Sequence, residues 1–96
     1  MYYDLIESGK RIKALRKKAG LKQRELAEMI NTSDDFISML ETGKSGTSID
    51  TMGMIAEALG STVDYIAFGR VTFGGYVVPE DKVEMVMGVL EAMVGK

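Results

Sequence analysis

The chain has 96 residues, 46% of them apolar, and a net charge of −2, which suits one small domain with a modest core plus an appendage and is too apolar for a disordered segment. It contains neither Cys nor His, which excludes a disulfide framework, a thiolate or imidazole metal site, and a His-based general base or triad. Charge is unevenly spread: Lys10 to Arg24 holds eight basic residues and no acid, whereas Ser45 onward holds three basic residues against seven acidic ones, an asymmetry that points to a basic docking face.

The first residues, MYYDLIESGKR, show no basic stretch followed by an apolar one, so no secretory signal is expected. No apolar run approaches the length of a membrane span. The expectation is a cytoplasmic protein with no membrane association and no cofactor.

In chain order, Tyr3–Lys18 carries Leu5, Ile12 and Leu15 at helical spacing and stops before Ala19-Gly20, with Gly20 suited to the left-handed residue after a helix. Gln23–Ile30 repeats the pattern with Leu26, Ala27 and Ile30. Asn31-Thr32-Ser33 breaks it, and Asn tolerates the left-handed conformation that a sharp turn between helices needs. Ser33 can cap a helix from Asp34 to about Thr42, with Phe36 or Ile37 and then Leu40 facing inward and Gly43 ending it. Ser48 can cap Ile49–Leu59, closed by Gly60, and Thr62 can cap Val63–Phe68, closed by Gly69. Five short helices joined by short connections predict a compact all-α bundle. Gly53, inside the fourth helix, costs about 1 kcal/mol relative to Ala and suggests a close approach, such as that of a second subunit.

After Gly69 the character changes. Val71–Phe73 and Tyr76–Val78 read as two β-rich triplets around Gly74-Gly75. Pro79 at the first position, with Glu80 and Asp81 in the first turn, predicts a last helix, Glu80–Val94. Val83, Val86, Met87, Leu90, Met93 and Val94 form one stripe, widened by Met85 and Val89. A Met-rich face that broad needs a partner surface. The chain therefore divides into residues 1–69 and an extension, 70–96, that serves dimerisation; folding of the last helix onto its own bundle is the alternative.

Gln23–Glu41 is a helix, a three-residue turn and a helix, the arrangement whose second helix enters the major groove. Several residues stand in the register of one family: Arg16, Gly20-Leu21, Gln23, Glu25-Leu26-Ala27, Ile30-Asn31, Ser33, Ile37-Ser38, Leu40-Glu41, Gly43-Lys44, Ser48, Ile55-Ala56, Ala58-Leu59-Gly60 and Asp64. From about Gly9 to Gly69 the chain resembles the phage-repressor and Cro-type (XRE-like) helix-turn-helix domains. The resemblance implies a five-helix repressor-like bundle and an ion pair between Arg16 and Glu41. It also implies base reading by Asp34, Asp35 and Met39, with Ser38 beside them.

An Asp can accept from cytosine N4, and Met39 can meet a thymine methyl. Family members often carry Gln, Arg, Lys, Ser or Asn there, and Asp34 and Asp35 can equally serve the positive end of the helix dipole. Gln23 at a helix start is either a phosphate contact or a plain first residue; Lys22, Thr42 and Lys44 are further phosphate candidates. Lys22 stands where the family commonly has a Ser, Thr or Asn cap.

The reading is a non-enzymatic, sequence-specific regulator of transcription, a repressor that binds double-stranded DNA at a near-palindromic operator as a homodimer. The alternative is a protein-interaction module, antitoxin-like, in which the acidic recognition helix has weak or no DNA reading.

Overall fold

A computed structural model describes residues 3–73 and 76–94. Helix α1 (Leu5–Lys18) starts two residues later than the apolar pattern predicts, because the Asp4 carboxylate caps it, accepting from the Ile6 and Glu7 N–H groups at 3.0 Å each. It stops at Ala19, and Gly20 follows with φ 75°.

Helix α2 (Gln23–Met29) has Lys22 at its cap position. An ammonium cannot accept a hydrogen bond, so this end is served from the other direction: Glu25 Oε1 accepts from the Lys22 N–H at 2.7 Å. Asn31, at φ 60°, makes the left-handed step into the turn. Ser33 Oγ then caps α3 (Asp34–Glu41), accepting from the Phe36 N–H at 3.2 Å.

Helices α4 (Ile49–Leu59) and α5 (Val63–Phe68) are capped by Ser48 and Thr62 and closed by Gly60 and Gly69, with the predicted boundaries. Ile12, Leu26, Ile37, Ile55 and Ile66 are the large side chains at the centre of the bundle, with Leu40, Met52 and Ala56 around them. Ala27 and Leu26 close the angle between α2 and α3 from the α2 side, while Ile37 and Leu40 do so from the α3 side.

One contact sets how near α1 comes to α3. A Cβ added at Gly9 would lie 2.3 Å from the Leu40 carbonyl oxygen and 2.8 Å from that of Glu41. The backbone of α1 therefore touches the carbonyl end of α3, and only glycine fits at that crossing. At Gly53, by contrast, an added Cβ meets nothing within 4 Å, so no close approach among the described residues explains that glycine.

Strands β1 (Val71–Phe73) and β2 (Tyr76–Val78) pair antiparallel in the register Val71↔Val78, Thr72↔Val77 and Phe73↔Tyr76. The Gly74-Gly75 turn expected between them lies outside the described residues. The last helix departs from the prediction. A single 3₁₀ turn, Glu80–Lys82, precedes α6 (Val83–Val94), and the Lys82 N–H reaches the Pro79 carbonyl at 2.9 Å. Pro79 thus stands at the cap of a tight turn, where its missing N–H costs nothing, rather than at the first position of a continuous helix.

Among the described residues no helix is long and apolar enough to cross a membrane.

Candidate nucleic-acid interface

The site begins with a buried polar node. Arg16 and Glu41 are 7% and 6% exposed. They form a two-pronged pair, Arg16 Nε to Glu41 Oε2 at 2.6 Å and Arg16 Nη2 to Glu41 Oε1 at 3.0 Å, the fork geometry that makes guanidinium–carboxylate pairs strong. Arg16 Nη1 also donates to the Leu21 carbonyl at 2.8 Å, and Gln23 Nε2 donates to Glu41 Oε1 at 3.0 Å. One carboxylate thus joins the end of α3 to the end of α1 and the start of α2. Hydrogen bonding to Glu41, against the opposing effect of burial, raises the Arg16 guanidinium above its ordinary pKa, so the guanidinium keeps its charge.

This node positions α3. Asp34, Asp35 and Met39 are exposed and Ser38 is half-buried on its outward side, while Ile37 and Leu40 are buried on the inward side. The four sequence-chosen base-reading residues therefore share one accessible face of the second helix of the motif. Asp34 and Asp35 are both in the first turn of α3, where carboxylates also favour the dipole.

The phosphate candidates separate by what their donors already do. Lys22 and Lys44 are exposed, with ammonium groups in no hydrogen bond or ion pair among the described residues. Gln23 is half-buried, and its amide is engaged with Glu41; a side-chain amide has a second N–H, so a phosphate contact requires that remaining one. Thr42 Oγ1 donates back to the Ser38 carbonyl at 2.9 Å, with the Met39 carbonyl at 3.3 Å. Its single proton is spent on α3, and in this rotamer Thr42 has none to give to a phosphate.

Sequence reasoning missed Gly9, whose only signal is a glycine in the middle of a helical pattern. It also missed Arg11, whose Nη1 donates to the Ile66 carbonyl at 3.1 Å and ties α1 to α5.

The extension meets the bundle along α1. Val83 is buried, and Met87 lines a groove of about 390 Å³ with Ala14, Leu15 and Tyr65. Lys18 pairs with Glu91 across the same groove. Part of the apolar stripe, Val83 and Met87, is therefore directed at the chain's own bundle. Val86 is half-buried, and Met85, Val89 and Met93 are 61%, 54% and 72% exposed. The side chains of Leu90 and Val94 lie outside the described part of the structure.

A bundle whose second and third helices form a helix-turn-helix, with the outer face of α3 open to solvent, has the architecture of the repressor-type helix-turn-helix domains. The helix-turn-helix family model HTH_3 matches residues 12–66, more than half of the chain, and the chain belongs to that family. It is similar to the immunity repressor protein of Bacillus phage phi105, 40% identical over 58 residues that make up 60% of this chain and 40% of the repressor. The chain thus spans less than half the length of that relative.

Among solved structures it is similar to the P22 c2 repressor in complex with a synthetic operator. The TM-score is 0.63 at 31% identity, over 65% of this chain and 94% of that one. It is likewise similar to SinR, a master regulator for biofilm formation, in complex with DNA, with a TM-score of 0.59 at 28% identity, over 62% of this chain and 95% of that one.

Proposed function

We propose that the protein is a sequence-specific repressor of transcription that binds a near-palindromic operator in double-stranded DNA as a homodimer. The observation that carries this reading is the placement of α3. Its outward face offers Asp34, Asp35, Ser38 and Met39, while the buried Arg16–Glu41 node fixes it against α1 and α2. A recognition helix must be held rigidly for base contacts to discriminate. The similarity to an immunity repressor and to regulators seen bound to operator or other DNA supports the same reading.

Residues 1–69 form the DNA-binding domain in this account, and 70–96 the dimerisation element. The exposed Met85, Val89 and Met93 on α6 support the latter, since such a stripe gains from burial against a second copy; Val86, Leu90 and Val94 belong to the same proposed interface. Two recognition helices related by a two-fold axis would then face successive major grooves.

A mobility-shift titration at low salt tests the DNA reading, with duplex preferred over single strands as the expected result and equal or absent binding as the refutation. Sedimentation of V89E/M93E tests the dimer: a monomer is expected, and an intact dimer removes α6 from the interface.

A second reading rests on one observation. Asp34 and Asp35 lie exposed on α3, Glu25 and Glu28 on α2, and Met29 and Met39 are exposed beside them. An acidic, Met-containing surface suits a basic protein partner, as an antitoxin-like module would need. A stoichiometric second protein that co-purifies from the native host and is lost on D34K/D35K favours it; duplex binding with no such protein counts against it.

A further inference from the structure

Eight basic residues lie between Lys10 and Arg24, and the structure divides them. Arg16 is consumed by Glu41 and Leu21, and Arg11 by the Ile66 carbonyl. Lys18 is paired with Glu91, and Lys10 with Glu7. Lys13, Lys17, Lys22 and Arg24 are exposed and have no ion-pair partner among the described residues. Two of these, Lys22 and Arg24, sit at the start of α2. The other two lie on α1.

Their position on α1 is informative. Ile6, Lys10, Lys13 and Lys17 follow one another at i, i+4, i+7 and i+11, so at 3.6 residues per turn they lie within an arc of about 60°. This stripe adjoins the Gly9–Arg16 side that packs on α3. At its N-terminal end Ile6 lies against Gly43, where an added Cβ would come within 2.8 Å of the Ile6 side chain; Lys44 is the next residue. At its C-terminal end the Lys17 carbonyl accepts from the Gly20 N–H at 3.0 Å, at the connection that leads to Lys22. The stripe therefore runs between the cation that follows the recognition helix and those that open α2. The helix dipole accounts for a cation at Lys17, in the last turn, but its effect has faded at Lys13.

We infer that Lys13 and Lys17 form a second contact line for the phosphate backbone of double-stranded DNA, continuous with Lys22, Arg24 and Lys44. The inference rests on the DNA-binding reading and extends its footprint from the helix-turn-helix to α1. No acid stands between Lys13 and Lys17 on α1; a line of cations matches a line of phosphates, and each phosphate neutralised releases counterions and steepens the salt dependence of binding. Such contacts add affinity without sequence preference.

The test is fluorescence anisotropy of the full chain on a random-sequence duplex, with log K followed against log salt. For K13Q/K17Q the slope should become shallower by about 1.8 per bound protomer, from about 0.9 per lost phosphate contact, with an unchanged circular dichroism spectrum. K18Q, which removes a lysine already paired with Glu91, should leave the slope as it is. A wild-type slope in K13Q/K17Q overturns the α1 contact line while leaving the DNA reading in place. Duplex binding absent from the wild-type chain overturns both.

Discussion

Removing the Glu41 carboxylate attacks the node on which the orientation of α3 depends. In Glu41→Ala, Arg16 keeps its charge and its buried position but retains only the Leu21 carbonyl as partner. Breaking a buried ion pair from one side typically costs about 3–5 kcal/mol. Small domains have roughly 5–15 kcal/mol in total, so much of the stability should go. At ~4–8 °C per kcal/mol for a chain of this size, the midpoint should fall by at least about 12 °C.

The informative companion is R16M/E41L, which removes both charges together. Replacing such a pair by apolar residues of similar volume is often neutral or stabilising, and the half-buried Gln23 amide can turn to water. This double variant should lie within about 1 kcal/mol of wild type, or above it. Thermal and urea unfolding, each followed by far-ultraviolet circular dichroism, read both variants. A cost under about 1 kcal/mol for Glu41→Ala would show that the pair does not anchor α3. A double variant as unstable as the sum of the singles would show that the two residues act separately.

Gln23→Ala removes a hydrogen bond to a charged group and should cost about 1.5–3 kcal/mol in the absence of DNA; unchanged stability with weakened duplex binding would assign Gln23 to phosphate alone. Gly9→Ala places a methyl on the Leu40 carbonyl and should cost more than about 3 kcal/mol despite the better helix propensity of Ala, read as a lowered urea midpoint; a stabilised variant would mean that α1 and α3 separate easily. Asp34→Asn and Asp35→Asn should each lose about 0.3–1 kcal/mol of stability through the dipole and tighten non-specific duplex binding, measured by anisotropy. If either carboxylate accepts from cytosine N4, a preference for cytosine weakens as well; affinity and preference that do not move would leave these aspartates serving the helix.

Much of the bundle was legible in the sequence because its signals are local. Ser33, Ser48 and Thr62 are caps written in residue type, and Asn31 is one of the few residues at ease in the left-handed step. The spacing of Ile37 and Leu40 decides which side of α3 turns inward. The apolar pattern puts the start of α1 two residues early because Tyr3 fits it, while Asp4 offers the stronger cap.

What stayed hidden depends on partners distant in sequence. Gly9 looks like a helix defect until the Leu40 carbonyl is seen against it. Gln23 and Thr42 look like free polar groups until their protons are traced to Glu41 and Ser38. The apolar stripe on α6 could not be divided in advance into the side that meets α1 and the side left open. That division depends on how Pro79 and its 3₁₀ turn aim the helix.

The most direct test of DNA reading by this fold is selection of bound duplexes from a random pool by the full chain. Enrichment of a near-palindrome is predicted, with half-site centres about one helical turn, roughly 34–36 Å, apart, and with base preferences that shift in Asp34→Asn, Asp35→Asn or Met39→Ala. A pool that emerges without sequence enrichment would contradict the account.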